Sequence, residues 1–510
     1  MTSVARRRQA VAWGVALAVF ALAAIAFARP GGGNTYGGSS RGSGSSGFSG
    51  GGGGSGGGDL IFSLLIELVF AYPQVGIPLL IIVAVGYALM RSRDRAGPAW
   101  NSAAAQRMTA AGRELDDARF RSNRQGRMLA AFERIREIDP EFSLVVFEDF
   151  FYSLYAEAHR ARGAGALERL APFIGATARR SLEALGGKNV RAVVVGAMRY
   201  TEIRGLDTGA QKLGVTIELE ANYTQDEAGA TRTYYVVERW SASRSRKARS
   251  RPPKRARTFD CPNCGAPLEK IVGITCSYCH EVVGTGDFDW LVEDIAVVER
   301  QVRPPALTTE VEERGTELPT VADPDARSRF DALVQRDPEM SFEALAKRVE
   351  LVFTTLQTAW GEQQLPKARA YLSDRLYETF EYWIEAYRAA GLRNVTEQAR
   401  IVDLVVARVV SDRHYDAITL RVFATSLDYT LDQAGKVVTG SRSRQRRYSE
   451  YWTLIRGATV RGAPKSEAAC PSCGAPLDIG MAGTCNHCRA EVTSGDFDWV
   501  LSRIEQDESY

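Results

Sequence analysis

The sequence predicts an α+β protein: two tandem modules of helices on a curved antiparallel sheet, each followed by a small cysteine ribbon, behind an N-terminal membrane segment. Three observations carry that reading. Cys261-Pro-Asn-Cys264-Gly-Ala-Pro-Leu returns as Cys470-Pro-Ser-Cys473-Gly-Ala-Pro-Leu, and each copy closes on Gly-Asp-Phe-Asp-Trp. Asp139-Pro-Glu-Phe-Ser143 returns as Asp337-Pro-Glu-Met-Ser341. After each of these openings, apolar residues recur first at helical spacing and then in alternation, the periods of a helix packed on half-buried strands.

All eight cysteines fall in the two ribbons, in the spacing C-x2-C-x11-C-x2-C both times. Two facing Cys-x-x-Cys turns supply four thiolates at the corners of a tetrahedron, the geometry that Zn2+ prefers. The expected ligands are Cys261, Cys264, Cys276 and Cys279 in one centre and Cys470, Cys473, Cys485 and Cys488 in the other, holding two structural zinc ions. Four sulfurs leave no open position for water or substrate, so the metal holds a fold together. A redox dithiol or a disulfide is the alternative for each pair alone, and duplication of the paired motif speaks against it. His280 and His487 sit beside or within the second turns and are read as bystanders.

Composition narrows the chemistry. A net charge of +3 with 25% charged residues gives no global sign of a nucleic-acid binder. Four histidines in 510 residues leave little for acid–base or catalytic-metal schemes. No phosphate-binding glycine loop, G-x-S-x-G or H-E-x-x-H motif occurs. Asp149 and Asp403 are the acids an enzyme reading would need, and neither has a visible partner in the sequence. No catalytic residue, organic cofactor or small-molecule substrate is assigned.

The N-terminal part reads as membrane-directed. Arg6, Arg7 and Arg8 precede an apolar run from Val11 to Ala28, with small residues at Ala26 and Ala28. Residues 1–29 therefore form a signal peptide or an uncleaved signal anchor. Residues 30–59 are almost pure Gly and Ser, a flexible linker. Residues 60–90 are apolar apart from Glu67, Pro73, Gln74 and Pro78, and Arg91, Arg93 and Arg95 close them. They read as a transmembrane segment, either one tilted kinked helix or an interfacial helix followed by a span. Arginines on both flanks put everything after residue 95 in the cytoplasm, where thiolates stay reduced.

A polar juxtamembrane helical segment at 96–138 leads into the first module, 139–257, and its ribbon, 258–300. A Pro-rich linker at 301–326 precedes the second module, 327–463, and the second ribbon, 467–506. In the second module Phe342, Leu345, Val349, Val352, Phe353, Leu356 and Trp360 mark an amphipathic helix. In the first, Phe142, Val146, Phe150 and Leu154 have Phe147, Phe151 and Tyr155 beside them, a wide aromatic arc. That arc reads as core, with a pocket for an apolar ligand as the alternative. Shorter helices are expected around Leu167–Leu185 and Leu365–Tyr387. Strands follow at Val190–Tyr200 and Ile401–Val410, along Val215–Tyr223 and Ile418–Ala424, and around Trp240 and Trp452. A short helix is expected after each ribbon, from Phe288, Trp290 and Leu291 and from Phe497, Trp499 and Leu501, capped by Asp287 or Asp496.

These residues resemble the bacterial relatives of the Tim-forty-four family, named for the mitochondrial inner-membrane subunit that tethers the protein-import motor. The resemblance rests on the signal-like N terminus, the Gly-rich stretch, the helix opened by Asp-Pro-x-x-Ser, the closing strand Glu450-Tyr-Trp and the Cys-Pro-x-Cys-Gly-Ala-Pro-Leu ribbon. It covers about residues 139–300 and 337–505. It implies two nuclear-transport-factor-two-like cones, helices over a curved sheet enclosing an apolar pocket. It also implies a bacterial inner (cytoplasmic) membrane location and a role in binding or tethering rather than catalysis, with an anionic lipid surface or a transport-machine protein as partner. A mitochondrial presequence and a chaperone-recruiting segment are not recognisable.

Charge is concentrated in two runs, Arg244–Arg257 before the first ribbon and Ser441–Arg447 in the second module. Each reads either as a solvated charge run or as a site for anionic headgroups, at about 1 kcal/mol per basic residue near a bilayer. The rival functions are a zinc-ribbon nucleic-acid binder, whose affinity would fall steeply with salt, and an enzyme using the cone pocket.

Overall fold

The computed structural model describes residues 127–128, 130–303, 307, 315–465, 469–507 and 510. The expected signal segment, Gly/Ser linker and span, with the juxtamembrane residues before 127, lie outside the described residues. No helix among those described is long and apolar enough to cross a membrane.

Half one opens with helix α1 (130–138), which buries Phe132 and Ile135 in the module core. The module therefore begins before Asp139, inside the segment expected to be juxtamembrane. Helix α2 (Leu144–Gly163) starts where Ser143 Oγ accepts the Val146 N–H, the N-cap that the Asp-Pro-x-x-Ser signature announces. A 3-10 turn (Leu167–Leu170) and helix α3 (Ala176–Glu183) follow. Strands β1 (Lys188–Arg204), β2 (Lys212–Glu227) and β3 (Ala230–Ser245) form an antiparallel meander. The ribbon carries β4 (Ile271–Val272) and β5 (Thr275–Cys276), and the chain returns as β6 (Leu291–Val302) beside β3.

Half two repeats the plan. Helices α4 (Ala326–Arg336) and α5 (Phe342–Gly361) lead, the second capped by Ser341 Oγ on the Ala344 N–H. A 3-10 turn (Leu365–Tyr371), helix α6 (Asp374–Ala389) and strands β7 (Leu392–Ser411), β8 (Tyr415–Asp432) and β9 (Val437–Gly457) follow. After the second ribbon, β10 (Val500–Gln506) pairs with β9. The two sheets run β1-β2-β3-β6 and β7-β8-β9-β10. Their central strands turn the expected apolar residues inward: Val215, Ile217, Leu219 and Tyr223 are buried, as are Ile418, Leu420 and Val422.

The segments after the ribbons correct the sequence reading: they are strands, not helices, and Asp287 and Asp496 cap nothing helical. Without them β3 and β9 would end each sheet with a row of unpaired backbone groups. Pairing outweighs the weak helical spacing. Equivalent contacts hold both returns in place, since the Gly175 N–H donates to the Val292 carbonyl at 2.8 Å and the Ser373 N–H to the Leu501 carbonyl at 2.9 Å.

The aromatic arc of α2 has two jobs. Phe147, Phe150, Phe151, Leu154 and Tyr155 pack into the core of half one. Val145 and Val146, with Ala256, meet Tyr415, Ile455 and Val500 of half two. A helix apolar on most of its circumference is one buried on two sides. Ionic contacts frame this junction: Arg503 donates to Glu148 at 3.2 Å, Arg257 to Asp149 at 3.3 Å and to the Tyr415 hydroxyl at 3.1 Å, and Arg375 lies 3.6 Å over the Tyr152 ring.

The expected linker is also more ordered than its composition suggests. β6 runs to Val302, and the buried Arg421 donates to the carbonyls of Gly315 at 2.7 Å and Leu318 at 2.8 Å. Asp323 accepts from Arg408 at 3.1 Å. Residues 315–326 are thereby pinned along the second sheet.

Candidate metal centres

Each ribbon starts with a Cys-Pro-x-Cys-Gly turn. Gly265 and Gly474 take φ of +80° and +74°, the left-handed conformation that costs glycine little. Their N–H groups donate to the Cys261 and Cys470 carbonyls at 2.9 and 2.8 Å. The second turns use the same device with a side chain present. His280 and Arg489 sit at φ +63° and +64°, and their N–H groups reach the Cys276 and Cys485 carbonyls, both at 2.8 Å.

These turns bring the sulfurs together. Within each tetrad all four Sγ atoms lie within 4.8 Å of one another. The Cys261–Cys279, Cys264–Cys276 and Cys470–Cys488 separations are 3.8, 3.9 and 3.9 Å. A tetrahedron with Zn–S bonds of about 2.3 Å has edges of about 3.8 Å, so donor type, number and spacing fit Zn2+. The same separations are far beyond a disulfide bond of about 2.05 Å, and all eight cysteines are free. The tetrads contain no histidine.

The turns also prepare the sulfurs electrostatically. The Cys279 N–H holds the Cys276 thiol down at about 7, and the Ala490 N–H does the same for Cys488, while burial pushes Cys261 up to about 12. A metal bound in either tetrad would supply a closed four-sulfur cross-link between two turns and offer no coordination site to a substrate.

Charged pairs lock each module beside its ribbon. Arg244 and Asp139, both buried, meet at 2.6 Å, and the Arg244 guanidinium lies 4.9 Å over the Trp290 ring. Arg456, Asp337 and Trp499 repeat this at 2.8 and 4.8 Å. Burial opposes ionised Asp139, but Arg244 and Ser250 more than offset it and hold the carboxyl below its usual range. The Asp of Asp-Pro-x-x-Ser is thus the sheet's anchor and its Ser the helix cap. Each closing strand adds a matched pair, Trp240 Nε1 donating to Glu238 and Trp452 Nε1 to Glu450, both at 2.9 Å.

In half one Glu238 also accepts from His159 Nε2 at 3.2 Å, while Arg162 approaches His159 Nδ1 at 3.3 Å. The guanidinium has only hydrogens to offer, so Nδ1 must be the acceptor and the ring neutral. Burial lowers the proton affinity of His159 against the pull of Glu238. Composition alone could not single out this cluster; the repeated Glu-x-Trp was its one signal.

In the first basic run most arginines have partners within the fold. Besides Arg244, Arg246 donates to the carbonyls of Gly205 and Asp207, Arg249 to that of Ile138, and Arg251 pairs with Asp260 and Asp289. With Arg257 on Asp149, the arginines of the run strap helices, sheet and ribbon together, while Lys247 and Lys254 between them stay exposed. Apart from Asp260, the run's acidic partners Asp139, Asp149 and Asp289 lie far away in sequence, which is why spacing could not find them. The second run differs. Arg442, Arg444 and Arg447 are exposed on the part of β9 that extends beyond β10. Of the two candidate acids, Asp149 is tied to the junction, and Asp403 is exposed and accepts the Leu404 N–H at 2.8 Å. The two are not brought together.

Against known proteins, a family model described as the Tim44-like domain matches residues 326–465. No curated protein matches the chain. Among solved structures, an NTF2-like protein involved in plasmid conjugation aligns at 8% identity over 70% of this chain and 92% of its own, with a TM-score of 0.16, a likeness too slight to add to the fold described above. The matched residues run from the start of α4 past the end of β9. Residues 326–465 carry a Tim44-like domain.

Proposed function

We propose that this chain is a membrane-anchored, non-enzymatic binding or tethering protein, with both halves acting as Tim44-like modules and each ribbon closed by a structural Zn2+. The domain match over residues 326–465 carries the reading. The matched caps, Asp–Arg anchors and Glu–Trp pairs support extending it to half one. The modules face the cytoplasm and meet an anionic inner-membrane surface through the exposed arginines of β9, where a protein partner of a transport or assembly machine is held. The interior carboxylates Asp139, Glu238, Asp337 and Glu450 are engaged by partners within the fold, which favours binding over catalysis.

Flotation of the fragment 121–510 with vesicles tests this. Binding to anionic but not neutral vesicles is expected, weakened by salt, with about 1 kcal/mol lost per arginine when Arg442, Arg444 and Arg447 become Gln. Equal binding to neutral vesicles, or binding to neither, contradicts it. Tight single-stranded nucleic-acid binding would promote the nucleic-acid reading instead.

A further inference from the structure

A cleft of about 540 Å³ opens in half two between the last turn of α5 and strands β7 and β8, a volume in the range of small-ligand sites. Gln357, Arg393, Thr396, Tyr429 and Arg442 line it. Gln357 is 3% exposed, and its Oε1 accepts the Thr396 hydroxyl at 2.6 Å, while its Nε2 has no acceptor. A buried amide N–H2 left without a partner is costly, about 1–3 kcal/mol. Arg393 makes no ion pair among the described residues, and Arg442, which lies 5.0 Å over the Tyr429 ring, donates to neutral groups, the Tyr429 hydroxyl and the Gly435 carbonyl at 3.4 Å. The two acids on the rim are already engaged, Glu362 by Lys367 and Glu397 by the Tyr429 hydroxyl.

Half one shows the same place filled. At the same distance from the capping serine, His159 stands where half two has Gln357, and Arg162 where it has Trp360. The Arg162 guanidinium turns inward to His159, to Gln225 at 3.0 Å and to the Gly186 carbonyl. Half one thus closes the position with its own cation. In half two Trp360 donates its Nε1 to Asn394 at 2.8 Å instead and leaves the cleft open.

We infer that this cleft binds a phosphate group, received by Arg393 and Arg442 at the rim and by the Gln357 amide at its base. Guanidinium and amide groups that line one cleft from different elements suit a tetrahedral oxyanion with several acceptor oxygens. The inference does not depend on the membrane reading. The phosphate could belong to a soluble ester or to a lipid headgroup, and the experiment separates these sources.

Purified full-length chain in a neutral detergent is titrated with inorganic phosphate, followed by phosphorus NMR, and separately with vesicles of phosphatidylcholine with and without phosphatidic acid. Saturable phosphate binding is expected, weakened about tenfold by Arg393→Ala and about threefold by Gln357→Leu. Arg444→Gln with Arg447→Gln should leave phosphate affinity unchanged while reducing vesicle attachment, which keeps this site distinct from the surface patch. Thermal melting confirms that each variant is folded, and Arg393→Lys, which keeps the charge, should restore part of the affinity. Phosphate binding lost in the cleft variants assigns a soluble ligand. Binding seen only with phosphatidic acid, and lost in the same variants, assigns a headgroup. Absence of both, or binding indifferent to Arg393 and Gln357 in folded variants, overturns the site.

Discussion

Ribbon one and ribbon two share their cysteine spacing and turn geometry but are joined to their modules differently. In half two, Cys470, Cys485 and Val492 belong to the same apolar core as Trp360, Leu420 and Trp452. In half one, Cys261, Cys276, Ala266 and Val283 form a small cluster of their own, while Phe259 and Leu268 reach the module core. Ribbon one also exposes Val272 and Tyr278, at 76% and 74%. The same metal-binding pattern can therefore be an appendage or an integral part of a core. Flanking residues decide which: Leu477, Ile479 and Ala490 extend the second ribbon into its neighbour.

The sharpest way to break this comparison is to remove a ligand from each centre. Cys485→Ser should unfold half two, because structural zinc binding is worth about 10–16 kcal/mol and is coupled to folding. Cys276→Ser should release one zinc but leave most of half one folded. Metal content should drop from two ions to one in both variants, and equal loss of melting cooperativity would erase the distinction. The buried anchors should behave alike instead. Asp139→Asn and Asp337→Asn each strand a buried arginine, at an expected cost of about 3–5 kcal/mol in denaturant unfolding.

Acid separates the halves more gently. His159 is neutral in the fold, and its proton affinity is depressed by burial below the ordinary 6.5. The unfolded chain then binds the proton more tightly, so this contribution is complete above about pH 6.5 and is lost as pH falls through the lower folded value. Glu238, whose carboxyl is also depressed, adds a loss of the same sign below its usual 4.5. Tyr155, Tyr223, Arg162 and Arg300 surround the pair and do not titrate in that window. Half two has Gln357 at this position, so the histidine step should vanish from pH-dependent melting of His159→Gln. A step that persists would locate it elsewhere. The smallest effect is expected at the exposed tip of ribbon one, where Tyr278→Ser should change stability by no more than about 0.5 kcal/mol.

What the sequence made legible was what local spacing encodes. The cysteine tetrads, the serine caps and the central strands all follow from residues a few positions apart. What it hid depends on distant partners. Arg244 finds Asp139, and Arg257 finds Asp149 and Tyr415, across stretches no pattern links. The segments after the ribbons read as helices from their own spacing, whereas Leu291–Val302 and Val500–Gln506 are strands set by the open edges they cover. The second face of α2 is carried by Val145 and Val146 rather than by its aromatic residues, and nothing local marks the surface that meets it.

The order of elements carries one more consequence. In each half the fourth strand is synthesised only after the cysteines, so three strands must wait with a bare rim until the ribbon has turned the chain around. A metal gripping that loop shortens the conformational search for the last strand. Scarcity of zinc during synthesis would therefore surface first as sticky, half-finished sheets prone to pairing with one another, long before any mature protein lost its ions.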